Sequence, residues 1–144
     1  VTARLRVTVL LATVSLFGCA TSVDVPAASG GATCRELVNR LPKTVAAAKQ
    51  RGVTPADSGT AAWGDPAITF RCGVAAPAGF AGGTQLLQVD TVLWLPEKLT
   101  AGYRFTAKSS AGYVEVDVPA HYSPVADVLV DLGPAVAASP GTDG

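Results

Sequence analysis

His121 is the only histidine in the 144-residue chain, and histidine is the residue type best suited to acid–base work near neutral pH. Beside Tyr122 it could act as a general base. General-base catalysis needs a partner held against the base, and the motifs that would announce one are missing. There is no Gly-x-Ser-x-Gly elbow, and residues 79–83 lack the following Lys-Ser/Thr pair of a phosphate loop. His121 therefore reads as a polar loop residue after Pro119, and the chain is not expected to be an enzyme. No cofactor is implied.

Trp63-Gly64-Asp65-Pro66 is a second constellation with chemical content. One reading makes Trp63 an apolar platform and Asp65 a hydrogen-bond acceptor for a ligand or partner, with Arg71 nearby. The other makes the group structural. Trp63 plugs the edge of the core, Gly64 takes a backbone angle closed to other residues, and Asp65 ties its own turn. Pro66 then presets φ for the strand that follows. Gly, Asp and Pro each have a turn role, which favours the structural reading. Arg71 has Asp65 or Asp90 as candidate ion-pair partners, and an exposed pair of that kind adds about 0–1 kcal/mol. Trp94 belongs to the core of its own strand.

The three cysteines divide into one and two. Arg4 and Arg6 form a basic leader, residues 7–17 a short apolar run, and Leu16-Phe17-Gly18 precedes Cys19. That is the anatomy of a bacterial export signal, and its position directly after Gly18 makes Cys19 the expected site of lipidation. Phe17 is bulkier than the residue usual there, so a plain secretory signal and an uncleaved anchor stand beside the lipoprotein reading. The apolar run is well short of the roughly 20 residues a spanning helix needs. A chain that opens on Val1 and holds no methionine is expected to use a non-AUG start. Cys34 and Cys72 are then left as a pair in an oxidising compartment, where a disulfide is expected. Neither has a Cys or His within four residues, which argues against a metal site.

Residues 1–18 read as the export signal, 19–33 as the lipidated cysteine and a flexible Gly/Pro-containing tether, 34–139 as one domain and 140–144 as a disordered tail. Without the leader the chain keeps nine basic and eleven acidic side chains. No basic patch or Lys/Arg run remains, so neither nucleic-acid binding nor electrostatic attachment to anionic lipid is expected.

These residues need elements to hold them. Thr33-Cys34-Arg35-Glu36 has the form of a capping box, and Cys34, Leu37, Val38 and Leu41 share one face of a short helix that Pro42 ends. Residues 43–53 are ambiguous, with Ala46-Ala47-Ala48 favouring helix, and 54–64 read as a loop. Ile68, Phe70 and Cys72 alternate with polar residues and should face inward. Residues 85–95 read as one strand ended by Pro96. Tyr103, Phe105 and Ala107, then Val114, Val116 and Val118, alternate on either side of residues 109–112, which predicts a β-hairpin closed by Pro119. Val125, Val128, Leu129, Leu132 and Val136 form the apolar face of a last helix, with Asp127 and Asp131 opposite and a kink or break expected at Gly133-Pro134. The expected class is α+β: a short N-terminal helix, an antiparallel sheet of about four strands, and a C-terminal amphipathic helix packed on the sheet.

Residues 34–42, Ala62-Trp63-Gly64-Asp65-Pro66-Ala67-Ile68, Arg71-Cys72-Gly73-Val74, residues 92–95 and residues 113–119 together resemble a functionally uncharacterised actinobacterial family of small exported proteins. The likeness covers roughly residues 33–138. It implies the location and the fold above and supplies no catalytic residues. Where the family shows a Gly-Arg pair before its last strand, this chain has Ser109-Ser110, so that turn is not expected to bind a ligand. Three functions follow in order: a non-catalytic envelope lipoprotein that binds an unknown envelope protein at the outer face of the cytoplasmic membrane; a small-molecule or lipid-binding envelope protein; and, last, a hydrolase using His121. The first calls for an exposed apolar patch near Trp63, the second for a pocket of roughly 300 Å³ or more, the third for His121 in a cleft near Asp or Ser.

Overall fold

The computed structural model describes residues 21–80 and 85–138. The export signal, Cys19 and the tail lie outside the described residues. In chain order the elements are β1 (Val23–Asp24), α1 (Gly31–Arg40), β2 (Thr44–Val45), β3 (Ala48–Arg51), β4 (Val53–Thr54), β5 (Thr60–Trp63), β6 (Ile68–Val74), β7 (Leu87–Val89), β8 (Val92–Leu99), β9 (Gly102–Ser109), β10 (Gly112–Pro119) and α2 (Ala126–Ala137).

The expected α+β class with a sheet of about four strands is corrected: the fold is mostly β, with an eight-stranded antiparallel sheet and a second, two-stranded sheet. The strand order β2-β3-β5-β6-β10-β9-β8-β7 is two meanders that meet where β6 pairs with β10. β1 and β4 form the small parallel sheet. α1 packs on β5 and β6, while α2 touches β8 and both edge strands, β2 and β7. The large sheet therefore curls around α2. No helix among the described residues is long and apolar enough to cross a membrane.

The extra strands come from segments whose sequence carries no period. Ala46 and Ala47, read as helix formers, both have positive φ (46° and 64°). They are the two-residue turn of the β2–β3 hairpin, whose register is Thr44↔Lys49 and Val45↔Ala48. A turn with both central residues left-handed is the type whose twist matches its strands, and here alanines fill positions that Gly or Asn usually take. β5 lies inside the expected loop of residues 54–64. All four of its residues are buried, so alternation could not show it. Residues 85–95 turn back on themselves as β7 and β8, through Asp90 with φ 50°.

Pro96 does not end β8, which runs on to Leu99. β7 covers β8 only from Val92 to Trp94. Beyond that point one side of β8 is a sheet edge, where a missing N–H removes no ladder bond. Pro134 likewise sits within α2, which continues across it to Ala137. Thr33 is not the N-cap either. α1 starts at Gly31, with Gly30 in the cap position and no side-chain cap bond.

The core lies between the curled sheet and the helices. Ile68, Phe70, Cys72, Val114, Val116, Phe105 and Ala107 project into it from the sheet, as their alternation predicts, and Val128, Leu129, Leu132 and Val136 meet them from α2. The β9–β10 hairpin also has the expected turn, from Ser109 to Gly112. Cys34 on α1 and Cys72 on β6 are joined in a disulfide with Cα atoms 5.5 Å apart. The segment read as a tether lies against the domain from Thr21 onward: Val23 N–H donates to Gly52 O (2.8 Å), Val25 N–H to Thr54 O (3.0 Å) and Ser29 N–H to Gly73 O (3.2 Å). Val25 is fully buried.

Candidate functional site

Trp63, Asp65 and Arg71 do not share one surface. Trp63 is 0% exposed and pairs with Ile68 across β5–β6, with its indole Nε1–H donating to Pro42 O at 2.9 Å. It is a core plug. Gly64 has φ +71°, and a side chain there would run into the Tyr122 hydroxyl. Asp65 is exposed on the four-residue turn between β5 and β6, and the Asx-type bond expected of it is not among the hydrogen bonds of the described residues. Arg71 projects from the opposite face of the sheet. It pairs with Glu115 at 3.0 Å, not with Asp65 or Asp90, and donates through Nε to Pro26 O at 2.9 Å. Glu115 also forms an ion pair with Arg104 at 3.5 Å, and Arg104 grips Asp117 through two bonds of 2.7 and 2.8 Å. This ladder of alternating charge consumes Arg71, and the Asp117 carboxylate raises the Arg104 pKa.

His121 has a different setting. The loop after β10, the Ala46-Ala47 turn and the first turns of α2 enclose an open cleft of about 530 Å³ lined by Ala46, Ala47, His121, Tyr122, Ser123, Pro124, Asp127 and Asp131. The strained turn is pinned across it, since Ala46 N–H donates to Asp131 Oδ2 at 2.7 Å. The His121 ring meets Tyr122 edge-on, with centroids 5.1 Å apart. Tyr122 in turn donates to Pro66 O at 2.8 Å. Among the described residues no hydrogen bond joins His121 to Ser123, Asp127 or Asp131. The cleft thus has the cluster that a His-dependent hydrolase would need, without a base held against a nucleophile. Its two carboxylates and the absence of any Lys or Arg in its lining make it acidic. Among the described residues no three His, Cys, Asp or Glu side chains stand together to hold a metal ion.

Sequence reasoning found His121 and Tyr122 but did not bring Asp127, Asp131, Ala46 and Ala47 to them. The aspartates had one signal, four residues apart on the exposed side of α2. The alanine turn had none.

Burial pushes the Tyr122 phenol above its ordinary value near 10, with Asp65 adding to the rise and Arg51 opposing it. The unfolded state then ionises first as pH climbs past 10, while the folded state keeps its proton, so this contribution is present below that pH and is lost above it. In an ultraviolet titration the difference between wild type and Tyr122→Phe should appear as a phenol ionising above pH 10. A difference spectrum with its midpoint at or below 10 would remove the half-buried setting assigned to the Tyr122 phenol.

Residues 10–141 match the model of a family described as "Protein of unknown function (DUF3515)". No curated protein and no solved structure matches the chain.

Proposed function

Because the chain belongs to the DUF3515 family of proteins of unknown function, we propose its role from its own residues: it is an exported lipoprotein of the cell envelope, anchored through Cys19 at the outer face of the cytoplasmic membrane, that binds a partner rather than transforms one. The cleft at His121 carries the binding half of this reading. It sits where two left-handed alanines are held by Asp131, and strain of that kind is found disproportionately at sites that use it. An aromatic ring, an exposed imidazole and two carboxylates suit a cationic segment of an envelope protein. The Cys34–Cys72 disulfide supports export, since such bonds persist in oxidising compartments. The basic leader and Cys19 support the anchor. Trp63 takes no part in this surface.

A second reading keeps the address and replaces the protein partner with a small cationic molecule. It is favoured by a cleft volume of about 530 Å³, inside the range of small-ligand sites.

In-cell cross-linking of the full-length protein tests both. His121→Ala/Asp127→Asn alters two exposed side chains and should leave folding intact. The wild type is expected to capture one specific envelope protein that this variant loses, and Cys19→Ala should move the protein from membranes to the medium. Equal capture by wild type and variant would overturn the cleft as the site. No capture, with a small cation retained in native mass spectrometry, would decide for the second reading. Membrane retention of Cys19→Ala, with no lipid mass on the wild type, would overturn the anchor.

A further inference from the structure

The start of the described chain is stitched to one end of the domain. Arg51 donates through Nη2 to Thr21 O at 2.7 Å and through Nη1 to Gly64 O at 2.9 Å. Ser22 and Thr54 share a hydroxyl hydrogen bond of 2.7 Å, and β1 runs along β4. Only Ala20 separates Thr21 from Cys19, two steps along the chain and at most about 7 Å when extended. A domain hung from Cys19 therefore has no long tether, and the end that holds Thr21 is the end nearest the lipid.

The segment that builds that end, residues 21–57, is also the basic one. Residues 21–57 carry five basic side chains, Arg35, Arg40, Lys43, Lys49 and Arg51, against three acidic ones, Asp24, Glu36 and Asp57. Residues 58–138 carry four basic and seven acidic. Pairing leaves the contrast in place, because the salt bridges among the described residues tie Arg71 and Arg104, both from residues 58–138, to Glu115 and Asp117. Arg35, Arg40, Lys43 and Lys49 are exposed, and among the described residues Arg51 donates to neutral oxygens and forms no salt bridge. Arg35 and Arg51 line one cleft between α1, β3 and β5.

We infer that the α1–β3 end of the domain lies against the membrane surface, with Arg35, Arg40, Lys43 and Lys49 facing anionic headgroups. The inference rests on the lipid anchor proposed above and adds an orientation to it. Juxtamembrane basic side chains gain from the negative surface potential, and the gain is confined to the Debye length, so a short attachment is what makes it count. This surface departs from the expectation that the chain carries no basic patch or Lys/Arg run. Here the charges are spaced three to six residues apart, and the bond from Gln50 N–H to Lys43 O sets Lys43 beside β3, the strand that carries Lys49 and Arg51.

The four lysines of the described chain make the test direct, since Lys43 and Lys49 lie at the basic end, Lys98 and Lys108 lie outside it, and all four are exposed. The full-length lipidated protein would be reconstituted on vesicles of phosphatidylcholine and on equimolar phosphatidylcholine and phosphatidylglycerol. Each lysine's rate of amine labelling is then read by mass spectrometry. Lys43 and Lys49 should label about fivefold more slowly on the anionic vesicles, an effect lost in high salt, with Lys98 and Lys108 unchanged. Four unchanged rates on protein that floats with the vesicles would overturn the orientation while leaving the anchor intact. Protein that carries no lipid mass and does not float would overturn the anchor first, and the orientation with it.

Discussion

Trp63→Ala should cost about 3–5 kcal/mol of folding free energy, the range for emptying a buried aromatic site. The indole is 0% exposed, packed in the core cluster, and its N–H satisfies Pro42 O directly after α1. Alanine would leave a cavity and an unpaired carbonyl together. Trp63→Phe separates the two, because it keeps most of the apolar volume and removes the donor, for an expected loss of about 1–2 kcal/mol. Denaturant unfolding followed by circular dichroism measures both. A loss below about 1 kcal/mol for the alanine variant would mean that the ring is not a core element. The consequence for function is practical. With total stability on the order of 5–15 kcal/mol, a Trp63→Ala protein that fails to capture a partner reports damage to the fold, not the loss of a contact. The exposed pair His121 and Asp127 is the place to probe binding.

The fate of Trp63 shows where sequence reasoning held and where it stopped. Turn chemistry favoured the structural reading of Trp63-Gly64-Asp65-Pro66, and Gly64 at φ +71° is the backbone angle that reading requires. The β9–β10 hairpin was legible because apolar and polar residues alternate on both strands around a polar turn. The inward face of β6 and the apolar face of α2 were legible for the same reason, a period sustained over two turns or six residues. Short strands carry no such period. β2, β4 and β7 have two or three residues each, and pairing, not pattern, makes them strands. β5 is buried throughout, so its two faces look alike. Ala46-Ala47-Ala48 has good helix propensity, and the tertiary context overrode it: Asp131 on α2 holds the Ala46 N–H, and the hairpin needs both left-handed residues. The candidate site failed to appear in sequence for a related reason. His121 and Asp127 are close in the chain, but the wall opposite them comes from the Ala46-Ala47 turn, some seventy-five residues earlier.

Removing the Cys34–Cys72 bond should lower stability by about 4 kcal/mol, through the unfolded state more than the folded one. The bond closes a sequence separation of 38 residues and fastens α1 to the middle of the sheet at β6. Its surroundings are built for close approach. Gly30 lies so near that a side chain on it would run into Cys34 Sγ, and its own backbone fills the space that a side chain on Gly73 (φ +85°) would need. The double variant Cys34→Ala/Cys72→Ala is the right comparison, since a single change leaves an unpaired thiol that can cross-link chains once they unfold. Two observables then separate the disulfide from the Trp63 cavity. Loss of the cross-link frees the unfolded chain to expand, so the urea m-value should rise while the midpoint falls. Trp63→Ala should lower the midpoint with the m-value unchanged. An unchanged m-value in the double alanine variant, with the same loss of stability, would place the contribution of the disulfide in the packing of α1 on β6, not in the entropy of the unfolded chain.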